Sequence, residues 1–195
     1  MKLVIGTKNP GKLREFQDLA AAEDWLQLEM VGNNFEAVEN GKTFFENAKI
    51  KAIKAAQITG KQALADDSGL VIEALNGKPG IMSARYCEGS DADRRAKILK
   101  EMEKVPEEQR HAAFFCAMVI ANPEGQVVFN TIRCWEGVIG FEERGDNGFG
   151  YDPIFYLPKR KVSAAELSSE EKNKLSHRAK AWIEVVKYLE QHKES

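Results

Sequence analysis

The sequence predicts an α/β fold built on a mixed β-sheet, and three observations carry that prediction. The chain opens as strand, loop and helix; strand and helix periods alternate through its first half; and two β-rich runs then follow one another across a short turn. Strand–helix alternation makes parallel pairs and a short turn makes an antiparallel one, so the sheet is expected to be mixed and elongated, with helices flanking it.

Leu3-Val4-Ile5 is a short buried strand, followed by a Gly/Asn/Pro loop and a helix from Lys12 to about Glu23 carrying Leu13, Phe16, Leu19 and Ala20 at helical spacing. Thr43-Phe44-Phe45-Glu46 has the capping-box pattern, and Ala48, Ala52, Ile53 and Ala56 continue an apolar face to a stop near Gly60. Ala63–Ala65 and Leu70–Ile72 are strand-like, on either side of Asp66-Asp67-Ser68-Gly69, whose composition suits a turn. A third helix is expected over Asp91–Lys104, ending before Pro106. Ala112–Ile120 and Val127–Ile139, joined by Asn122-Pro123-Glu124-Gly125, form an antiparallel hairpin. A late strand covers Pro153–Leu157, and a helix runs from Ser168, with Glu171 completing a capping box, to about His192.

With 195 residues, 43% of them apolar, the chain can bury the core of one domain, and no repeat or linker divides it. The 28 Lys and Arg nearly cancel the 30 Asp and Glu, so the basic excess of a nucleic-acid or membrane-surface binder is missing. Cys87, Cys116 and Cys134 are odd in number and never in CxxC spacing, which argues against a disulfide framework or zinc site and for a reducing compartment. The apolar opening breaks at Gly6, too early for a signal peptide, and no stretch approaches membrane-spanning length; a cytoplasmic protein is expected.

Gly6-Thr7-Lys8-Asn9-Pro10-Gly11-Lys12 matches GxxxxGK between a strand and a helix, but Leu13 stands where a P-loop needs Ser or Thr for Mg²⁺. The loop can hold phosphate through backbone N–H groups and the Thr7, Asn9 and Lys12 side chains, or it is an ordinary strand–helix turn. Any metal must then be held by acids elsewhere. Glu39 with one Asp of the 66–67 pair suits Mg²⁺, which takes carboxylate oxygens and substrate phosphates; a carboxylate there can also serve as general base. Neighbouring strand residues face opposite ways, so Asp66 and Asp67 are expected to do different jobs. In Gly148-Phe149-Gly150-Tyr151-Asp152-Pro153, Phe149 or Tyr151 could lie against a flat base, or simply pack in a turn. Lys172, His177 and Arg178 converge only if the last helix breaks near Ser176; otherwise they belong to a solvated charged face.

Taken together these segments resemble the inosine triphosphate pyrophosphatase (ITPase) family. The resemblance is carried in order by Thr7-x-Asn9-x-x-Lys12-x-x-Glu15, Glu39-x-Gly41-x-Thr43-Phe44-x-Glu46-Asn47-Ala48 and Ala65-Asp66-Asp67-Ser68-Gly69-Leu70. Pro79-Gly80-Ile81 with Ser83-Ala84-Arg85-Tyr86, then Gly148 to Pro153, then Ser176-His177-Arg178, complete it. It implies a two-lobed α/β domain over 1–195 with a long central mixed sheet, an active-site cleft between the lobes, and usually a homodimer. It further implies a Mg²⁺-dependent pyrophosphatase that takes dITP, ITP, XTP and dXTP to their monophosphates and acts on no nucleic acid or membrane. By position, Thr7, Lys8, Asn9, Pro10, Gly11, Lys12 and Ser68 would contact substrate, Glu39 and Asp67 would bind Mg²⁺, and Asp67 would also be the general base. Phe149, Gly150, Tyr151, Asp152, Lys172, His177 and Arg178 would form the nucleotide pocket. Competing readings are a Maf-like nucleotide pyrophosphatase, a P-loop kinase or ATPase, and a non-enzymatic nucleotide-binding module.

Overall fold

Seven strands lie in one sheet, in the order β2-β1-β3-β4-β5-β6-β7, in a computed structural model that describes residues 1–32 and 35–193. The elements are β1 (Lys2–Ile5), α1 (Pro10–Ala20), β2 (Gln27–Met30), α2 (Phe44–Thr59), β3 (Ala63–Ile72) and α3 (Asp91–Glu101). After them come β4 (His111–Ala121), β5 (Val127–Ile139), β6 (Phe155–Leu157), β7 (Val162–Ser163), α4 (Ser169–Leu175) and α5 (His177–Gln191). β1 pairs in parallel with β2 and β3, while β5, β6 and β7 pair antiparallel, so the sheet is mixed as expected. Between β4 and β5 the Asn122 side chain accepts from Gln126 N at 2.8 Å and closes the turn.

The chain divides into two compact units, Met1–Asp67 with Cys116–Arg133 and His177–Ser195, and Ser68–Phe115 with Cys134–Ser176. In the first, the alternation of β1 sends Leu3 and Ile5 into one cluster with Phe16, Leu64 and Trp182, and Val4 into another with Ala48, Ala52 and Ala55. The alanine face lets α2 lie close to the strands. A side chain at Gly6 would bring its Cβ within 3.0 Å of the Ala55 methyl, so this position needs glycine for close approach. The second unit packs around Phe155, whose ring lies 4.6 Å from Phe114 and 5.3 Å from Trp135 between centroids.

Four expectations are corrected. Asp66–Gly69 is not a turn between strands but the middle of the unbroken β3; buried partners for both carboxylates, described below, override a composition that favours turns. The third helix stops at Glu101, because the Met102 backbone already leaves helical geometry. Asp152–Ile154 is a 3₁₀ turn, leaving a strand of only Phe155–Leu157. The final helix breaks at Ser176, whose φ of −67° and ψ of 159° are extended, which is the break that convergence of its cations required. β2 and β7, short strands with little periodic signal, have no counterpart in the sequence reading.

Candidate active site

The loop after β1 runs directly into α1. Asn9 caps the helix by accepting from Lys12 N at 3.0 Å, Pro10 takes the first position, and the Thr7 hydroxyl accepts from Asn9 N at 3.2 Å. Thr7 and Gly11 are buried, while Lys8, Asn9 and Pro10 are exposed, so a strand end delivers a preformed helix N-terminus with the Lys12 side chain beside it.

That side chain turns to β3. Asp66, fully buried, accepts at Oδ2 from Lys12 Nζ at 3.0 Å and from Arg178 Nη2 at 2.9 Å. Arg178, buried at the start of α5, also pairs with Glu15 of α1. Burial alone would work against its charge, but Asp66 and Glu15 outweigh it and hold the guanidinium firmly protonated. His177 precedes it and is equally buried.

Asp67 faces the other way and meets a different set of groups. Its Oδ1 accepts from Lys51 Nζ at 3.1 Å and its Oδ2 from Asn47 Nδ2 at 3.2 Å. The same Lys51 ammonium donates to Glu39 Oε2 at 3.0 Å, and Asn47 Oδ1 accepts from Gly41 N at 2.9 Å, so α2 ties the Glu39 loop to β3. Burial raises the Asp67 carboxyl above its ordinary value; Lys51 and Lys12 pull it down, but Glu39 adds to the rise and the net direction is upward. Burial likewise opposes the Lys51 charge, yet Asp67, Asp66 and Glu39 keep that ammonium above its ordinary value. The two directions agree physically: two carboxylates around one cation make the lysine hold its proton and let the more buried acid take one readily.

In the second unit, Asp152 and Lys172 are both buried and 2.5 Å apart, and Asp152 also accepts from Phe149 N at 2.8 Å. Gly148, at φ 75°, leaves no room for a side chain: its Cβ would fall 2.1 Å from Asp152 Oδ2. Lys172 Nζ lies 5.1 Å from the centroid of the half-buried Phe149 ring. Tyr151 points inward instead, donating to Ser83 O at 2.7 Å, and its burial raises the phenol above its ordinary value. Ser68, the next residue along β3, is half-buried.

The Ham1 family model matches residues 3–188, nearly the whole described chain. The chain belongs to the Ham1 family. It is 45% identical to the dITP/XTP pyrophosphatase of Geobacillus kaustophilus (strain HTA426), over 95% of this chain and 96% of that protein. With the dITP/XTP pyrophosphatase of Vibrio cholerae (serotype O1, strain ATCC 39315 / El Tor Inaba N16961) it shares 45% identity over 97% of each. Among solved structures, a Ham1 protein from Coxiella burnetii superposes with a TM-score of 0.86 at 40% identity, covering 98% of this chain and 99% of that one. The Staphylococcus aureus Ham1 protein gives 0.85 at 36%, over 98% and 100%.

For this Ham1-family chain, the structure gathers Lys12 with Asp66 and Arg178, Glu39 with Asp67, and Phe149 with Asp152 and Lys172. Arg178 is engaged by Glu15 and Asp66, and Lys172 by Asp152. Sequence reasoning missed Asn47 and Lys51 as site residues. Their signal was available, because both lie on the buried alanine face of α2, where an uncompensated amide or ammonium is costly.

Proposed function

We propose that this Ham1-family protein hydrolyses the non-standard purine nucleotides dITP, ITP, XTP and dXTP to monophosphate and pyrophosphate, removing them from nucleotide pools. The observation that carries the reading is the convergence of Glu39 and Asp67 on the single Lys51 ammonium, at 3.0 and 3.1 Å. Two carboxylates already facing one positive charge are a donor set that fits Mg²⁺, with substrate phosphates completing the shell. Glu39 and Asp67 would hold that ion. When bound, it supplies polarisation of water and phosphate oxygens. The names carried by the Geobacillus and Vibrio relatives support the substrate class.

Asp67, with its carboxyl raised, accepts the proton of the attacking water as the new oxygen–phosphorus bond forms; the bond to the leaving pyrophosphate breaks and takes the electron pair with it. Lys12 and the backbone N–H groups of Thr7, Lys8 and Gly11, with Ser68, hold the phosphate oxygens, while Pro10, which has no N–H, sets the first turn of the helix. Lys51 keeps the two acids apart from one another's charge. Phe149 offers its face to the base, Asp152 holds Lys172 beside it, and Gly150 is the next residue along that segment. Hypoxanthine and xanthine carry a C6 carbonyl where adenine carries an amine, so buried donors rewarded by the former are left unpaired by ATP, a mismatch worth about 10⁴-fold. We read the working form as a cytoplasmic homodimer with a small-molecule substrate alone.

The test is incubation with Mg²⁺ and ITP, XTP, dITP, GTP, ATP or CTP, measuring pyrophosphate and orthophosphate separately, before and after chelation. Pyrophosphate from ITP, dITP and XTP is expected, and chelation should abolish it. A preference for ATP, or orthophosphate as product, would overturn the reading.

A further inference from the structure

We infer that Asp91 and Arg95 of α3 are positioning residues that set base selectivity by clamping the peptide unit next to Phe149. The inference rests on the proposed role of Phe149 as the base-facing ring. Gly150 donates its N–H to Asp91 Oδ2 at 3.1 Å, and its carbonyl accepts from Arg95 Nη1 at 2.9 Å. Asp91 and Arg95 are four residues apart, on one face of α3, so one helix face grips both polar groups of one glycine. Gly150 sits at φ 63°, where few other residues would rest, and its peptide direction decides where the preceding ring points.

Both side chains are themselves braced. Arg95 Nη2 pairs with Glu143 Oε2 at 2.9 Å, and Asp91 Oδ1 receives Arg94 Nη2 at 2.6 Å. The Ser90–Asp93 capping box fixes the turn from which they project. The rest of the segment is anchored elsewhere: Phe149 N on Asp152, Tyr151 by its hydroxyl on Ser83 O. Between those anchors, side chains of α3 hold both polar groups of Gly150. Release of the clamp would therefore leave Tyr151 seated and let the Phe149 ring, 5.1 Å from Lys172 Nζ, take several orientations. Asp67 and Glu39 lie on other segments, so orientation of the base should suffer before the hydrolytic chemistry does.

The experiment compares wild type with Arg95→Ala, Arg95→Lys, Asp91→Ala and Asp91→Asn. It reads kcat and KM for dITP and dATP and hydrogen–deuterium exchange across residues 148–152. Arg95→Ala and Asp91→Ala should lower the dITP-to-dATP ratio of kcat/KM about tenfold, chiefly through KM for dITP, and speed exchange in the segment. Asp91→Asn should restore the ratio, because its amide oxygen still accepts from Gly150. The exposed Asp91 pair keeps the test decisive even if Arg95→Ala folds poorly. Equal loss on both nucleotides, an unchanged ratio, or exchange at the wild-type rate in Asp91→Ala would overturn the inference. A wild type that cleaves no dITP would instead overturn the proposed function, and the exchange result would still judge the clamp.

Discussion

On one face of β3, Asp66 lies fully buried between Lys12 and Arg178, with Glu15 completing a group of two acids and two cations. On the other face, one residue later, Asp67 and Glu39 share the single ammonium of Lys51. The same carboxylate, on the same strand, is charge-balanced in one setting and short of cations in the other. A balanced carboxylate is a structural anchor, tying the loop helix α1 and the start of α5 to the sheet. A carboxylate with a surplus of negative charge beside it attracts a proton or a metal, which is what a hydrolytic site requires. Substitutions that exchange loss of stability for loss of rate are the way to break the comparison.

The largest effect is expected from Asp67→Asn. Removing the proposed general base and cation ligand should lower kcat by about 10³-fold while the protein still folds. Because the folded Asp67 carboxyl lies above its ordinary value of 3.8, its stabilising share is complete below that value and is lost as pH rises through the raised one. The asparagine variant lacks that loss. Its stability relative to wild type, read from urea unfolding across the acidic range, should therefore improve as pH rises; a relative stability that falls as pH rises would contradict the assignment.

Asp66→Ala should show the opposite signature. It strips the shared carboxylate from two largely buried cations, and breaking such a pair costs about 3 kcal/mol. Denaturant unfolding should register that loss at every pH above the carboxylate range. An Asp66→Ala protein as stable as wild type would show that the balance on this face is not structural.

Lys51→Met sharpens the comparison by removing the cation that Asp67 and Glu39 share. The Asp67 carboxyl should rise further, so the acidic limb of the kcat/KM profile should move to higher pH. Loss of two charge-assisted hydrogen bonds should also cost about 3 kcal/mol of stability in denaturant unfolding. A limb that stays in place would separate Lys51 from the titration of Asp67.

Much of this contrast was legible in the residues, and the unreadable part has a physical cause. Period-two alternation was enough to assign Asp66 and Asp67 different work, and Asn-Pro-Gly before Lys12 was enough to place a helix start there. Ser176, an N-cap type within a charged helical stretch, marked the break between α4 and α5. Local composition failed at Asp66–Gly69, where four turn-favouring residues form a strand interior because Lys12, Arg178, Lys51 and Asn47 supply their partners from up to 112 residues away. No window of sequence contains that information. The role of Arg178 was obscured for the same reason: its partners, Glu15 and Asp66, lie far away in the chain.

Asn47 gives the smallest and most discriminating of these effects. Its amide takes the Gly41 N–H on one side and gives a hydrogen bond to Asp67 Oδ2 on the other, so it can point Asp67 only while the Glu39 loop is in place. Gly41 cannot yield to a larger residue, since a Cβ there would come within 2.7 Å of Asn47 Oδ1. Asn47→Ala leaves the half-buried Gly41 N–H and one carboxylate oxygen without this partner, at about 1 kcal/mol of stability. If Asn47 serves only the fold, kcat per folded molecule should match wild type. If it aims Asp67, kcat should fall several-fold with KM little changed, and the acidic limb should shift as the carboxylate loses a donor that favours its charged form. Steady-state kinetics across pH, normalised to the folded fraction, separates the two, and we expect the second.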